Sequence, residues 1–283
     1  MNILYCGDEH MDDGMLISIL SLLKHTKQPL HIYVLTADVV VPGKKVYTAL
    51  RPPEINFLNQ LVKQHNPDNF VKLFNITPLF NREMPTVNLN TYFTPMCMLR
   101  LYADQITEIP DKLLYLDTDV VCHRNFDAFY HQDISKYEVV GCLDYYGRLF
   151  FHDHGWRMSY MNSGVLLLNM RKIRADGLFV KCRHLCATKW MFMPDQSALN
   201  KLVTSYQLVP RRFNEQRKLH NDTVFQHFTT SFRFFPLLRM ITVKPWQVDR
   251  VHQQLKIHDY DDILDKYQQL VTQMKHNTIK GGV

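Results

Sequence analysis

"KLLYLDTDVVCHRNF", residues 112–126, decides how the rest of the chain is read. Leu113, Leu114, Tyr115 and Leu116 make an apolar run of strand length. Such a run reads as a strand buried on both faces. Asp117 and Asp119 follow it with one residue between them. Two carboxylates beside a buried strand are costly unless something pairs with them.

Outward from this point the chain alternates strands and helices. "MNILYCGDEH" opens with a strand that ends at Gly7 and an acidic-polar cluster. Residues 15–26 carry a helical apolar face, 31–38 are β-branched and aromatic, and 53–65 read as a helix with proline near its start. Residues 70–76 read as another strand, and 95–106 as a helix leading into the strand before Asp117. This alternation predicts an α/β fold with a mostly parallel central sheet and covered faces. Beyond Asp119, residues 138–144 and 163–170 read as core strands with a polar-aromatic binding loop, 145–159, between them. Residues 173–189, 195–202 and 255–275 read as helices, while 228–246 is aromatic and basic with little periodicity. No clean linker interrupts the chain. It divides into one domain, 1–246, and a small C-terminal helical appendage, 247–283.

At 283 residues, with 46% hydrophobic and 21% charged side chains, the chain is ordinary globular material with ample core. A formal charge of +6 is compatible with an anionic ligand or a membrane surface. No arginine-rich run argues for nucleic acid. The six cysteines, Cys6, Cys97, Cys122, Cys142, Cys182 and Cys186, sit mostly in apolar stretches and complete no zinc pattern. Asp8 comes too early for a secretory leader, and no apolar stretch reaches the ~18 residues of a spanning helix. A reducing, cytoplasmic setting is the expectation, with peripheral contact on the inner face of the membrane left open.

The Asp-X-Asp pair has three readings. It is a solvated turn, or a site for a hard cation such as Mg²⁺ or Mn²⁺ beyond the carboxyl end of a strand. Or it is the entry motif of haloacid-dehalogenase-type phosphatases, with Asp117 as nucleophile and Asp119 as general acid. Against the last, the motif lies well inside the chain and no late acidic pair matches.

Several motifs in order extend the pair. They are "YCGDEH" (5–10), "MLRLYADQI" (98–106), "LYLDTDVV" (114–121), "CLDYY" (142–146), "YMNSGVLLLN" (160–169), "MPDQSALN" (193–200), "QHFTT" (226–230) and "VKPW" (243–246). Together, from Met1 to about Trp246, they resemble family 8 glycosyltransferases, among them bacterial lipooligosaccharide galactosyltransferases and glycogenin. These are metal-dependent, retaining enzymes of the GT-A type, a three-layer α/β/α nucleotide-sugar-binding fold.

The resemblance implies a site residue by residue. Cys6, Gly7, Asp8 and His10 would hold the uridine, and Arg100 would reach the donor. Asp117, Asp119 and His227 would hold Mn²⁺ or Mg²⁺, with Thr118 lying against the nucleotide between the two aspartates. Asp144, Asn162, Ser163 and Gly164 would lie near the sugar, with Asp195 and Gln196; Gln196, Asp195 and Asp144 would be the catalytic residues, Gln196 standing where a nucleophile would, though an amide is a poor one. Lys244 would pair with the diphosphate. The implied partners are a UDP-sugar donor and a glycan, glycolipid or glycoprotein acceptor. The implied reaction is transfer of glucose or galactose with retention. A pocket that kept nucleotide-sugar binding but lost chemistry is the alternative.

One departure stands out: relatives join the His and Lys-Pro-Trp elements by a short glycine-containing loop. Here Thr230 stands near the glycine position and "SFRFFPLLRMIT" (231–242) is inserted. A hairpin would return Lys244 to the phosphates, leaving Phe232, Phe234 and Phe235 for packing or for acceptor or membrane contacts.

Plainer roles stand beside these. Asp195 is placed to cap a helix, with Gln196 exposed in its first turn. Asn162-Ser163-Gly164 reads as a tight turn feeding a strand. Lys244 before proline reads as a snorkelling side chain. In the C-terminal helix, Lys256, Lys266 and Lys275 with Leu255, Ile257, Leu264 and Leu270 make an amphipathic face for packing or for a membrane surface.

Overall fold

Strand side chains alternate faces, and here both faces are apolar. In β1 (Asn2–Cys6), Ile3 and Tyr5 enter one core while Leu4 enters the other. In β2 (His31–Thr36), Ile32 and Val34 oppose Tyr33 and Leu35 in the same way. The pattern needs cover on both sides, and the computed structural model has it. It describes residues 1–41, 43, 46–147, 159–233 and 239–280.

The remaining strands are β3 (Val39–Val40), β4 (Val46–Tyr47), β5 (Phe70–Asn75), β6 (Lys112–Leu116), β7 (Val120–Cys122), β8 (Val139–Leu143), β9 (Met161–Asn169), β10 (Tyr206–Val209), β11 (Phe225–His227), β12 (Ser231–Arg233) and β13 (Arg239–Ile241). Seven of them form the central sheet, in the order β10-β8-β9-β6-β1-β2-β5. Only β9 runs against its neighbours. The sheet is therefore mostly parallel, as the alternation of elements predicted.

One face is covered by the helices Asp12–His25, Pro52–His65 and Asp261–Lys280. The other is covered by the stretch Pro95–Gln105 and the helices Leu178–Thr188 and Pro194–Leu202. The helix Asp12–His25 is buried without a break from Gly14 to Leu23. It lies between the sheet and the C-terminal helix, whose Ile263, Leu264, Tyr267 and Met274 share its core. Lys24 and Asp13 pair across that contact with Asp262 (2.7 Å) and Lys275 (2.9 Å).

Three elements differ from their sequence reading. Residues 95–106 form tight 3-10 turns, Pro95–Gln105, rather than an α-helix. Arg100 Nε takes the Cys97 carbonyl there, an acceptor that an α-helix gives to the backbone four residues on. The helix expected over 173–189 is two, Met170–Asp176 and Leu178–Thr188, broken at Gly177 with φ +65°. The last helix starts at Asp261 because Val251–Leu255 closes as a π-turn and Lys256 then turns left-handed, φ +59°. The binding loop read at 145–159 lies mostly outside the described residues, as do Phe234 and Phe235.

Candidate active site

In a parallel sheet the carboxyl ends of β1, β6 and β8 share one rim. Because β9 is antiparallel, with Leu116 opposite Val165, its amino-terminal end arrives at that same rim. Asp117–Asp119, Asp144 and Asn162–Gly164 are gathered by this topology alone. The helix Pro194–Leu202 adds Asp195 and Gln196 from its first turn. The two-stranded ribbon β7–β11 pairs His227 with Val120, the residue after Asp119.

The donor atoms of Asp117, Asp119 and His227 all lie within 4.8 Å of one another. His227 Nε2 is 3.2 Å from Asp119 Oδ1 and 3.6 Å from Asp117 Oδ2. Asn214 Nδ2 donates to Asn162 Oδ1 at 2.8 Å, so its own Oδ1 faces His227 Nδ1 at 3.2 Å and takes that proton. The Nε2 side then confronts two carboxylates, and either a second ring proton or a metal ion must sit between them. Two carboxylates and an imidazole suit a divalent cation.

Burial of Asp119 acts to raise its pKa. The charges of Lys244 and His227 outweigh that and hold it well below the carboxylate range. Lys244 Nζ donates to Asp119 Oδ2 and, at 3.1 Å, to the Phe228 carbonyl. The insert has not displaced it: β12 and β13 pair as a hairpin, and Thr230 Oγ1 meets Thr242 Oγ1 at 2.8 Å across its base. Lys244 is thus an ion-pair partner rather than a snorkelling side chain.

Behind the triad the polar groups form one closed network. Arg100 is buried, and its guanidinium serves Asp117 Oδ1 (3.0 Å), Asp195 Oδ2 (3.3 Å) and the Ser163 carbonyl, with the Tyr115 ring 3.8 Å beneath it. Gln196 Nε2 donates to Asp144 Oδ2 at 2.8 Å, and Gln196 Oε1 accepts from the Ser163 amide at 2.9 Å. Asn162 Nδ2 donates to the same Asp144 oxygen at 3.0 Å.

This geometry corrects three plain readings. The helix cap is Met193, so Asp195 lies within the first turn and faces Arg100 rather than capping. Gln196 is buried, not exposed, because Asp144 and Ser163 use both ends of its amide. Asn162-Ser163-Gly164 belongs to β9 and is not a turn. The Gly164 carbonyl accepts from the Asp117 amide at 2.9 Å. A Cβ at Gly164 would stand 2.1 Å from His227 Cε1 and 2.9 Å from Asp117 Oδ2.

The four candidates at the end of β1, Cys6, Gly7, Asp8 and His10, are less tightly joined. The Cys6 thiol is pushed up by burial and is a neutral wall beside Arg100 and Asp117. Gly7 passes close to Met11, where a Cβ would meet Sδ at 2.7 Å, and Asp8 caps the next turn by accepting from the His10 amide at 3.0 Å. The His10 side chain is 62% exposed and is not drawn into the network.

Sequence reading missed Asn214 and Gly14. "RRFNEQRK" looks like a solvated loop, yet Asn214, Glu215 and Gln216 are buried. A Cβ at Gly14 would meet the Thr118 carbonyl at 2.6 Å and Trp246 at 2.7 Å, so this helix glycine lets the Asp-Thr-Asp loop sit where it does. Gly14 stands one residue before the apolar pattern read at 15–26, so only the structure, whose helix begins at Asp12, puts this glycine inside a helix.

The family description Glycosyl transferase family 8 matches residues 2–247. The chain belongs to glycosyl transferase family 8. A lipopolysaccharide 1,2-glucosyltransferase of Escherichia coli is 24% identical, over 99% of this chain and 91% of its own length. Its counterpart in strain K12 is 26% identical, over 91% and 76%. Among solved structures, the galactosyltransferase LgtC with donor and acceptor sugar analogues superposes with a TM-score of 0.61 at 16% identity, covering 94% of this chain and 96% of that one. An active-site mutant of LgtC reaches 0.64 at 17%, covering 96% of each. The family 8 chain thus has the GT-A fold, and its Asp-Asp-His cluster is a candidate divalent-cation site.

Proposed function

We propose that this glycosyltransferase is a retaining hexosyltransferase that moves glucose or galactose from a UDP-sugar to a hydroxyl of a bacterial surface glycan, with lipopolysaccharide as the acceptor class. The observation that carries the reading is the convergence of Asp117, Asp119 and His227 on one point of the sheet rim. The relatives' activities on lipopolysaccharide support the acceptor class. The reaction would run on the cytoplasmic side of the membrane. Residues 1–246 would form the transferase domain, with 247–283 as a helical appendage packed on it.

Asp117, Asp119 and His227 would hold Mn²⁺ or Mg²⁺. The bound ion would act as a Lewis acid toward the diphosphate of the leaving UDP. Lys244 adds a second positive charge at the same place and stabilises the leaving group electrostatically. Cys6, Gly7, Asp8 and His10 line the uridine end, and Thr118 lies against the nucleotide between the two aspartates. Asp144, Asn162, Ser163 and Asp195 hold the sugar hydroxyls and fix the ring for attack. Gln196 faces the reacting carbon, but with both ends of its amide already bonded it positions rather than attacks. The acceptor hydroxyl then approaches on the face that the diphosphate leaves, and its proton passes to the departing phosphate oxygen.

Family membership leaves the phosphatase reading without support. A non-catalytic binding protein would be favoured had the insert carried Lys244 away from the site, and Lys244 bonds Asp119. The test is a panel of UDP-sugars incubated with Mn²⁺ or with chelator. UDP release from UDP-glucose or UDP-galactose with Mn²⁺, and its loss on chelation, is expected. Full turnover under chelation removes the ion's role, and no release from either donor removes the hexosyl reading.

A further inference from the structure

A cavity of about 500 Å³ opens outside the Asp-Asp-His cluster. Among the described residues its lining includes Arg124, Arg217, Lys218 and Lys256 with a single carboxylate, Asp259. Among the described residues, none of the four cations is ion-paired. Nearby Arg211, by contrast, is engaged by both Glu215 and Asp222 (3.2 Å). Unpaired positive charge concentrated in a concave surface raises the local concentration of anions.

Two chain segments tie this cavity to the reaction centre. Asn214, which orients His227, precedes Lys218 by four residues, at most about 14 Å of chain. Asp119 precedes Arg124 by five residues, at most about 18 Å. Tyr146 lines the cavity, and its amide donates to Asp144 Oδ1 at 3.0 Å. Arg217 is held over the Tyr145 ring at 4.2 Å and donates to its hydroxyl at 2.7 Å. Lys256 is held at the rim by the left-handed backbone that follows the π-turn, the one non-glycine positive φ among the described residues. A lysine rarely adopts this backbone unless its surroundings hold it there.

We infer that this cavity is an acceptor subsite for a phosphate-type anionic substituent carried a few sugar units from the attacking hydroxyl. The inference rests on the acceptor being a glycan, as proposed above, and narrows that glycan to an anionic one. The guanidinium groups of Arg124 and Arg217 offer paired donors to phosphate oxygens, and Lys218 and Lys256 offer point charges.

The test uses the full chain loaded with Mg²⁺ and UDP. Inositol hexakisphosphate, a multiply phosphorylated probe, is titrated by calorimetry into the natural protein and an Arg124→Ala/Lys218→Ala variant. Both side chains are exposed, so the fold is expected to tolerate the change. Affinity for the probe should fall at least about ten-fold in the variant while that for UDP stays the same. Equal affinity in both proteins overturns the subsite.

Vesicles with and without phosphatidylglycerol separate a lipid headgroup from a glycan phosphate. If the variant loses vesicle binding but keeps the probe, the patch is a membrane contact and the inference fails. A deacylated lipopolysaccharide core, used before and after removal of its phosphates, supplies the kinetic arm. The phosphorylated form should show the lower KM, and the variant should erase the difference. Hydrolysis of UDP-sugar without acceptor reads the donor site alone. Its absence counts against the proposed function, while the probe titration still reads the cavity.

Discussion

A single hydrogen atom is all that Gly164 can carry. A methyl group there overlaps His227 Cε1 and crowds Asp117 Oδ2, and neither can retreat, since His227 is held by Asn214 and Asp117 by Arg100. Gly164→Ala should therefore lower Mn²⁺ affinity at least about ten-fold, measured by the electron paramagnetic resonance of free Mn²⁺, and destabilise the fold by about 1–3 kcal/mol. Unchanged affinity would remove His227 from the ligand set. Asn214→Ala probes the same imidazole without a clash. Losing the acceptor for Nδ1–H frees the ring to take the other tautomer, and Mn²⁺ affinity should drop about 10–100-fold while donor affinity in excess Mn²⁺ changes far less. At this scale legibility was uneven. Asp117 and Asp119 announce themselves because two carboxylates after an apolar strand need a reason. Asn214 does not, because a buried polar residue between arginines looks like a solvated one until its partners are known.

Elements were legible where one periodicity ruled and obscure where a local competitor intervened. The strands of 2–6, 31–36 and 112–116 are apolar on both faces and could hardly be read otherwise. The stretch Pro95–Gln105 was misread as an α-helix because its apolar spacing does not separate 3-10 turns from α-helical ones. The helix Asp12–His25 carries its own pH dependence. Burial lowers the pKa of His25 to about 4, and Lys24, His123 and Arg124 push in the same direction against Asp262. The folded state thus binds its proton less readily than the unfolded chain, whose histidine titrates near about 6.5. This contribution to stability is complete above that value and is lost as pH falls from about 6.5 toward 4. His25→Asn should flatten the midpoint of thermal unfolding across that interval. A slope identical to that of the natural protein would show that other groups carry it.

At the scale of the molecule, one wall of the core comes from the end of the chain. Sequence reading saw residues 255–275 as an amphipathic helix but could not say whether its apolar face met protein or lipid, because both want the same pattern. The partner is visible only in three dimensions: it is the helix Asp12–His25, buried all round because the C-terminal helix closes its outer side. Leu264 and Met274 are 2% and 0% exposed in that contact. Truncating either to alanine removes apolar contacts that a rigid neighbour cannot replace, so each should cost about 2–5 kcal/mol of unfolding free energy. The helix Asp12–His25 also supports the site, since its Gly14 packs on the Thr118 carbonyl between the two aspartates. Leu264→Ala should therefore lower stability first and Mn²⁺ affinity only as the helix shifts, whereas Lys266→Ala, on the exposed side of the helix, should change neither. Denaturant unfolding and Mn²⁺ titration on the same samples check the order. If Lys266→Ala costs as much stability as Leu264→Ala, the helix is held by its charged face, and the packing account of this wall is wrong.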